Sequence, residues 1–346
     1  MSDRMSRLCE FPGLKSPGGF GQQPDVSFFI KLIEINSIGR IAGLLQCALA
    51  DRGSGAMNKK HETMAGWLFL APALIIFAIL VVFPIIMSLF LSFTEWNFLS
   101  GFEGIEWKGL ANFERLFTRD RKFMMALKNT VFYAFTTAPI SIVIGLLFAF
   151  MLNDKVYMRK LNRMFFFIPY ICSMVALAAV FRFLFRVDGP INAILARAFG
   201  IDPIPWLNKT AYNKIPVICV MIYAAVGYNL IVYMAALQNV PRELYEAATV
   251  DGAGPFMRFL KVTVPLISPT TFYLLIVRLI AAFKAFSALN IMGVSKTAPS
   301  LVSEIYANAF ESYKFGYASA EAWVLVAVIL VITLIQMFGQ KKWVHY

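Results

Sequence analysis

WLFLAPALIIFAILVVFPIIMSLFL, residues 67–91, is one continuous apolar run, and its length decides the fold class. A bilayer core about 30 Å thick takes roughly 20 apolar residues of helix to cross. Five further runs follow at about 131–152, 164–185, 215–237, 269–289 and 323–338, the last extended by the small-residue stretch Gly316-Tyr317-Ala318-Ser319-Ala320. The expectation is an all-α, polytopic membrane protein with six transmembrane helices. Composition agrees: of 346 residues, 59% are hydrophobic and 15% charged, too apolar for a soluble globular chain. Pro84, Pro139 and Pro169 fall inside runs, where neighbouring helices re-satisfy the carbonyls that proline frees, so they predict kinks in a packed bundle.

The charge is lopsided, 32 Lys+Arg against 20 Asp+Glu for a net +12. In a soluble chain that excess raises nucleic-acid binding; in a polytopic one it marks the cytoplasmic loops, and no nucleic-acid partner is expected. Lys155, Arg159, Lys160 and Arg163 crowd the second connection, Lys341 and Lys342 lie in the tail, and Lys59 and Lys60 precede the first run. Both termini are therefore expected in the cytoplasm of a bacterial or archaeal cell, and the connection carrying Trp96, Trp107 and Phe113 outside the inner membrane. Arg186 and Arg197 in the third connection make this a bias in the pattern.

Little material exists for catalysis. The two histidines, His61 and His345, lie near opposite ends, and Cys9, Cys47, Cys172 and Cys219 have no CxxC spacing. No metal site, cofactor or enzymatic activity is expected. Residues 1–56 read as a separate extension: Leu32, Ile35, Ile38, Ile41 and Leu45 recur at helical spacing, consistent with a surface-lying amphipathic helix, but there is no normal signal peptide. Met57-Asn58-Lys59-Lys60 resembles an ordinary chain start, so Met57 is expected as the native start, the membrane domain at 57–346, and the extension as non-native or dispensable. With six basic and five acidic residues, that extension contributes only +1 of the charge.

Between the fourth and fifth runs lies a polar loop, residues 241–265, cytoplasmic by the orientation above. Pro241 suits a helix start and Gly252 a helix stop, so two short helices joined at a glycine are expected, with Ala247 and Ala248 making a small face for close approach. The order Glu246-Ala247-Ala248, then Asp251-Gly252, then Pro265 resembles the coupling loop of the membrane subunits of binding-protein-dependent ABC importers; Val262 and Val264 stand where Ile and Leu are more usual. The run from Leu237 to Ala253 is similar to the sugar-permease branch, the maltodextrin and glycerol-3-phosphate type. Asn129-Thr130, Gly189-Pro190-Ile191-Asn192, Trp206-Leu207 and the residues from Phe315 to Ala320 are similar to family landmarks, while Met292 to Pro299 departs from the usual Thr-x-Gly-Gly-Pro turn.

The resemblance covers nearly all of 57–346 and implies the ABC importer permease fold. It implies that Glu246, Ala247, Ala248, Asp251, Gly252 and Pro265 dock into a separate cytoplasmic ATPase, Glu246 against a basic residue there. It implies four further partners: a second homologous permease, two ABC ATPase subunits and an extracytoplasmic solute-binding protein. No GxxxxGK[ST] occurs, and Gly252-Ala253-Gly254 lacks the lysine, so ATP is expected to bind the partners and not this chain.

A sugar path needs hydroxyl-matching groups and aromatic faces. The fourth run offers Tyr223, Tyr228, Asn229 and Tyr233; the fifth offers Arg278 and Lys284, with Asn290 just beyond. Tyr228 falls where a maltodextrin-type relative places a sugar-contacting tyrosine, whereas Ala282 and Ala285 replace polar positions. Each tyrosine reads equally as a packing residue. Arg278 stands out because intramembrane cations usually face a cavity; it pairs with an acidic substrate group, snorkels, or meets a partner subunit. The expected function is a permease subunit of an ATP-driven carbohydrate importer. The alternatives are an ABC permease for another small polar solute and an ion-coupled secondary transporter, which the scarcity of Asp and Glu in the runs disfavours.

Overall fold

The structure is a computed structural model that describes residues 59–153 and 159–343. The extension 1–56, the start at Met57, Lys155, and the side chains of Lys59, Lys60, Arg159, Lys160, Arg163, Lys341 and Lys342 lie outside the described residues. The chain divides into two compact units, Met1–Ile76 and Phe77–Tyr346. In the first, the described residues belong to helix α1, Lys59–Phe77, which presents apolar side chains such as Phe69 to its surroundings.

The second unit is almost wholly helical. Helix α2, Phe83–Ser92, leads into a small antiparallel ribbon, β1 Thr94–Glu95 and β2 Glu106–Trp107, in which Glu95 faces Glu106. Lys108 bridges this like-charged pair at 3.7 and 2.9 Å. There follow α3 Ala111–Thr118, α4 Arg121–Asn153, α5 Arg159–Ile171, α6 Met174–Leu184 and α7 Pro190–Phe199. The chain continues through α8 Lys214–Gln238, α9 Arg242–Val250, α10 Pro255–Arg258 and α11 Ser268–Phe283. It ends with α12 Ser287–Met292, α13 Leu301–Tyr306 and α14 Phe315–Trp343.

Among the described residues, four helical stretches are long and apolar enough to cross a membrane: Gly66–Ser92, Arg121–Leu152, Lys214–Gln238 and Phe315–Gln340. Two bent pairs, Met164–Ile171 with Met174–Leu184 and Pro255–Leu266 with Ser268–Phe283, raise the number to six when each counts as one span. Two runs that hydropathy treats as single helices are thus broken. The 164–185 run bends by 104° at Cys172 and Ser173. Pro169 contributes no N–H to the last turn of α5, and the Ser173 hydroxyl accepts from the Val175 amide at 3.3 Å, starting α6 afresh. The 269–289 run stops at Phe283; the Ser300 hydroxyl donates to the Ala285 carbonyl at 2.7 Å, satisfying an acceptor that the broken helix leaves free. Hydropathy is blind to both events because apolar side chains continue through them.

The core sits around α4, which packs along α8 and α11. Tyr133, Phe123, Phe283, Leu289 and Leu301 form one buried cluster; Leu230, Tyr233, Ile267 and Leu274 form a second. Close approach of helices depends on small residues. A Cβ at Gly227 of α8 would run into the backbone carbonyl of Phe166 in α5, so only glycine fits that crossing. The landmark residues of the sequence are long-range ties. The Asn129 amide donates to the Pro299 carbonyl at 3.1 Å, and the Thr130 hydroxyl accepts from the Leu301 amide at 2.8 Å.

Candidate functional site

The polar loop expected from its sequence to be a coupling segment is built as two short helices joined by a left-handed glycine. Pro241 caps α9 from just outside, with ψ 132°, and the helix runs to Val250. Gly252 has φ +77°, a conformation that costs a side-chain-bearing residue steric strain, and its amide donates to the Thr249 carbonyl at 3.0 Å while Ala253 donates to Ala248 at 2.9 Å. The chain then turns into α10 at Pro255. Two side-chain ties fix the angle between the halves: the Tyr245 and Thr263 hydroxyls lie 2.9 Å apart, and Arg258 donates to the Thr249 hydroxyl at 2.8 Å. Behind the segment the rings of Phe150 and Phe259 pack at 4.7 Å, anchoring it to α4.

Its outer face is unusually apolar for a polar loop. Val250 is 87% exposed and Phe256 73% exposed, with Leu244, Met257 and Leu260 also uncovered. Glu246, Ala247, Asp251 and Gly252 share that exposure; Ala248 and Pro265 are half-buried. Glu246 has no ion pair among the described residues. Sequence reasoning singled out the Glu-Ala-Ala order and passed over Val250 and Phe256, although an isolated Val and Phe in a charged loop was the available signal.

The second arrangement lies within the bundle. The broken span, α4, α8 and α11 enclose a cavity of about 230 Å³ lined by Thr137, Ser141, Tyr170, Cys172, Met174 and Arg278 among others. Arg278 Nε donates to Asn229 Oδ1 at 2.6 Å and Nη2 donates to the Ala225 carbonyl at 3.1 Å. Its guanidinium carbon lies 4.7 Å from the centre of the Tyr228 ring. Tyr228 also meets the Tyr273 hydroxyl at 3.1 Å and the Tyr170 ring at 5.2 Å. Asn229, buried, donates in turn to Ser141 Oγ at 3.3 Å.

Three of the four path residues expected from the sequence, Tyr228, Asn229 and Arg278, therefore form one contact group. Lys284 does not join it; it is an exposed residue at the C-terminal cap of α11. Tyr233 is buried and donates to Thr271 at 3.0 Å, a packing role, and Tyr223 stacks near Phe181 at 5.5 Å. Ala282, apolar where a relative is polar, still lines the cavity. Tyr170, Tyr273 and Ser141 were not foreseen, and Pro169 beside Tyr170 was the only hint.

The sequence of the inner membrane component of binding-protein-dependent transport systems matches residues 123–343, a stretch that contains both arrangements. The chain belongs to that family. The permease is 34% identical over 309 residues to the probable ABC transporter permease protein YesP of Bacillus subtilis, a match covering 86% of this chain and 98% of the relative. It is 32% identical to the lactose transport system permease protein LacF of Rhizobium radiobacter, covering 82% and 96%. Among solved structures it is similar to a chain of a bacterial alginate ABC transporter in complex with an alginate pentasaccharide-bound periplasmic protein, with TM-score 0.71, 25% identity, and coverage of 83% and 97%. The permease is thus a membrane component of an ABC transporter with several apolar helices, a transport subunit and not an enzyme.

Proposed function

We propose that this permease forms half of the translocation pathway of an ATP-driven carbohydrate importer. The observation that carries the reading is the coupling segment: a rigid two-helix element that leaves Val250 and Phe256 in solvent and Glu246 without an ion pair among the described residues. Exposed apolar side chains rimmed by charge mark a protein-docking surface. The partner that fits is a cytoplasmic ABC ATPase, one of two, which binds the ATP. A second, homologous permease supplies the other half of the path, and an extracytoplasmic solute-binding protein delivers the sugar.

Both termini and the coupling segment are assigned to the cytoplasmic side, with the ribbon of β1 and β2 outside. The carbohydrate class is supported by the lactose and alginate relatives and by the hydroxyls of Thr137 and Ser141 and the ring of Tyr170 in the cavity wall, which suit sugar hydroxyls and ring faces. The transport domain of this reading is residues 57–346. The complex reconstituted in liposomes takes up a saccharide only with ATP and the binding protein present. Gradient-driven uptake by this chain alone, or transport of a non-carbohydrate solute only, overturns the reading.

A further inference from the structure

We infer that the saccharide this permease passes carries an acidic group, and that Arg278 is the residue that recognises it; the inference rests on the carbohydrate-import reading above. A guanidinium at membrane depth is costly, and such groups face a cavity or meet an anion. Arg278, in the crossing pair that ends at Phe283, lines the cavity of about 230 Å³. Its partners hold it without neutralising it: the Asn229 carboxamide, the Ala225 carbonyl and the face of Tyr228 are all uncharged. No Asp or Glu oxygen among the described residues lies within 4.0 Å of it. A guanidinium has five N–H donors, and two of those of Arg278 are engaged by Asn229 and Ala225.

The rest of the lining adds no negative charge. Its other polar side chains include the neutral hydroxyls of Thr137, Ser141 and Tyr170. The broken span adds a second positive element: Met174, first residue of the 11-residue helix α6, lines the same cavity, so the positive end of that helix dipole lies at its wall. Non-helical backbone such as Cys172 and Ser173 is tolerated at membrane depth where it borders a cavity. A cation and a helix N-terminus thus meet at a site whose remaining wall is mostly alanine, methionine, cysteine and proline, with the hydroxyls of Thr137 and Ser141 and the ring of Tyr170 as its neutral polar groups. The ligand matching all of these is a saccharide whose hydroxyls meet the neutral lining and whose carboxylate takes the fork of Arg278 in paired hydrogen bonds. A neutral sugar leaves the charge uncompensated.

The test uses the assembled complex in liposomes: this permease, its partner permease, the ATPases and the binding protein. The probes are trimers of galacturonate, mannuronate and glucuronate, each paired with its methyl ester, together with lactose and arabinotriose. The expected result is uptake of an acidic trimer at least about tenfold above its ester, the difference one charged hydrogen-bonded contact makes. Arg278→Gln then lowers the acid-to-ester uptake ratio by about 10- to 100-fold, with Arg278→Lys between. A merely structural strut lowers both probes equally and leaves the ratio unmoved, which overturns the assignment. Should R278Q fail to assemble, the acid-against-ester comparison in the unmodified complex decides. Uptake of lactose or arabinotriose without any acidic trimer refutes the acidic inference and leaves the carbohydrate reading standing. If an ATP-hydrolysing complex takes up no saccharide, both fall.

Discussion

The indole of Trp206 donates to the carboxamide oxygen of Asn192 at 2.9 Å, and that one asparagine ties the turn before α7 to the connection that follows it. Its oxygen also accepts from the Ile204 amide at 3.2 Å, and its nitrogen donates to the carbonyls of Arg186, Val187 and Ile204 at 2.9–3.2 Å. Asn192 is buried, so each of these groups depends on it in place of water. Asn192→Ala is expected to destabilise the permease by about 3 kcal/mol. Asn192→Asp should do more harm, because a carboxylate repels the three carbonyls that the amide served. Thermal unfolding of the purified complex checks both, and an Asp variant milder than Ala defeats the account.

The coupling segment makes a second prediction. Val250 and Phe256 bury little within this chain, so Val250→Asp and Phe256→Asp should leave its folding intact. Transport-coupled ATP hydrolysis should fall about tenfold or more, as expected for anchors of an interface. Normal coupling in both variants removes the docking surface as proposed.

Tyr245 and Thr263 tie α9 to the turn before α11 through their hydroxyls. Tyr245→Phe deletes only that bond and is expected to cost about 1 kcal/mol. Because the bond sets the angle between the two halves of the segment, ATP hydrolysis per sugar transported should rise. An unchanged ratio with reduced stability confines the pair to a structural part.

Asp120 links acidity to stability. Partial burial pushes its carboxyl up, but the Tyr317 hydroxyl donating at 2.6 Å, the Phe123 and Lys122 amides and the nearby Arg115 together hold it below the ordinary aspartate value. A carboxyl depressed in the folded state contributes stability that is present above its unfolded value of about 4 and is lost as pH falls through the folded one. Melting temperature should therefore drop below about pH 4, and Asp120→Asn should flatten that part of the profile. A drop of the same size in D120N assigns it to other carboxyls.

Glu321 of α14 is wholly buried; Asn308 donates to one of its oxygens at 2.9 Å, and the other has no hydrogen-bond partner among the described residues. Glu321→Gln keeps the acceptor and replaces a carboxyl whose ionised form is costly to bury, so it should leave stability equal or raise it by about 1 kcal/mol, whereas Glu321→Ala should cost about 2–3 kcal/mol. Strong destabilisation by the Gln variant, read by thermal unfolding, argues for a partner that needs the carboxylate.

Much of this was legible in the residues themselves. Apolar length marked the crossing helices, and Pro241, Gly252 and Pro265 marked the coupling segment, because proline and glycine act on their own turn of backbone. Asn192 and Trp206 were visible as landmarks but not as partners: the contact joins residues 14 apart across a buried turn, and no local pattern records it. The break inside 164–185 was hidden for a related reason, since Pro169 is equally compatible with a mild kink.

The sequence by itself determined the class of the membrane segments and the position of the two short helices around Gly252, since hydropathy and turn chemistry are properties of neighbouring residues. Only the tertiary structure decided that Arg278, Ser141 and Tyr170 line one cavity with Asn229 bonded to Arg278 and Ser141, and that Lys284 stands apart from it. Those residues come from four separated segments, and what places them together is the packing of α4 on α8 and α11 around a span that bends through 104°. Such packing is a sum of many weak, long-range contacts, which no single stretch of chain encodes.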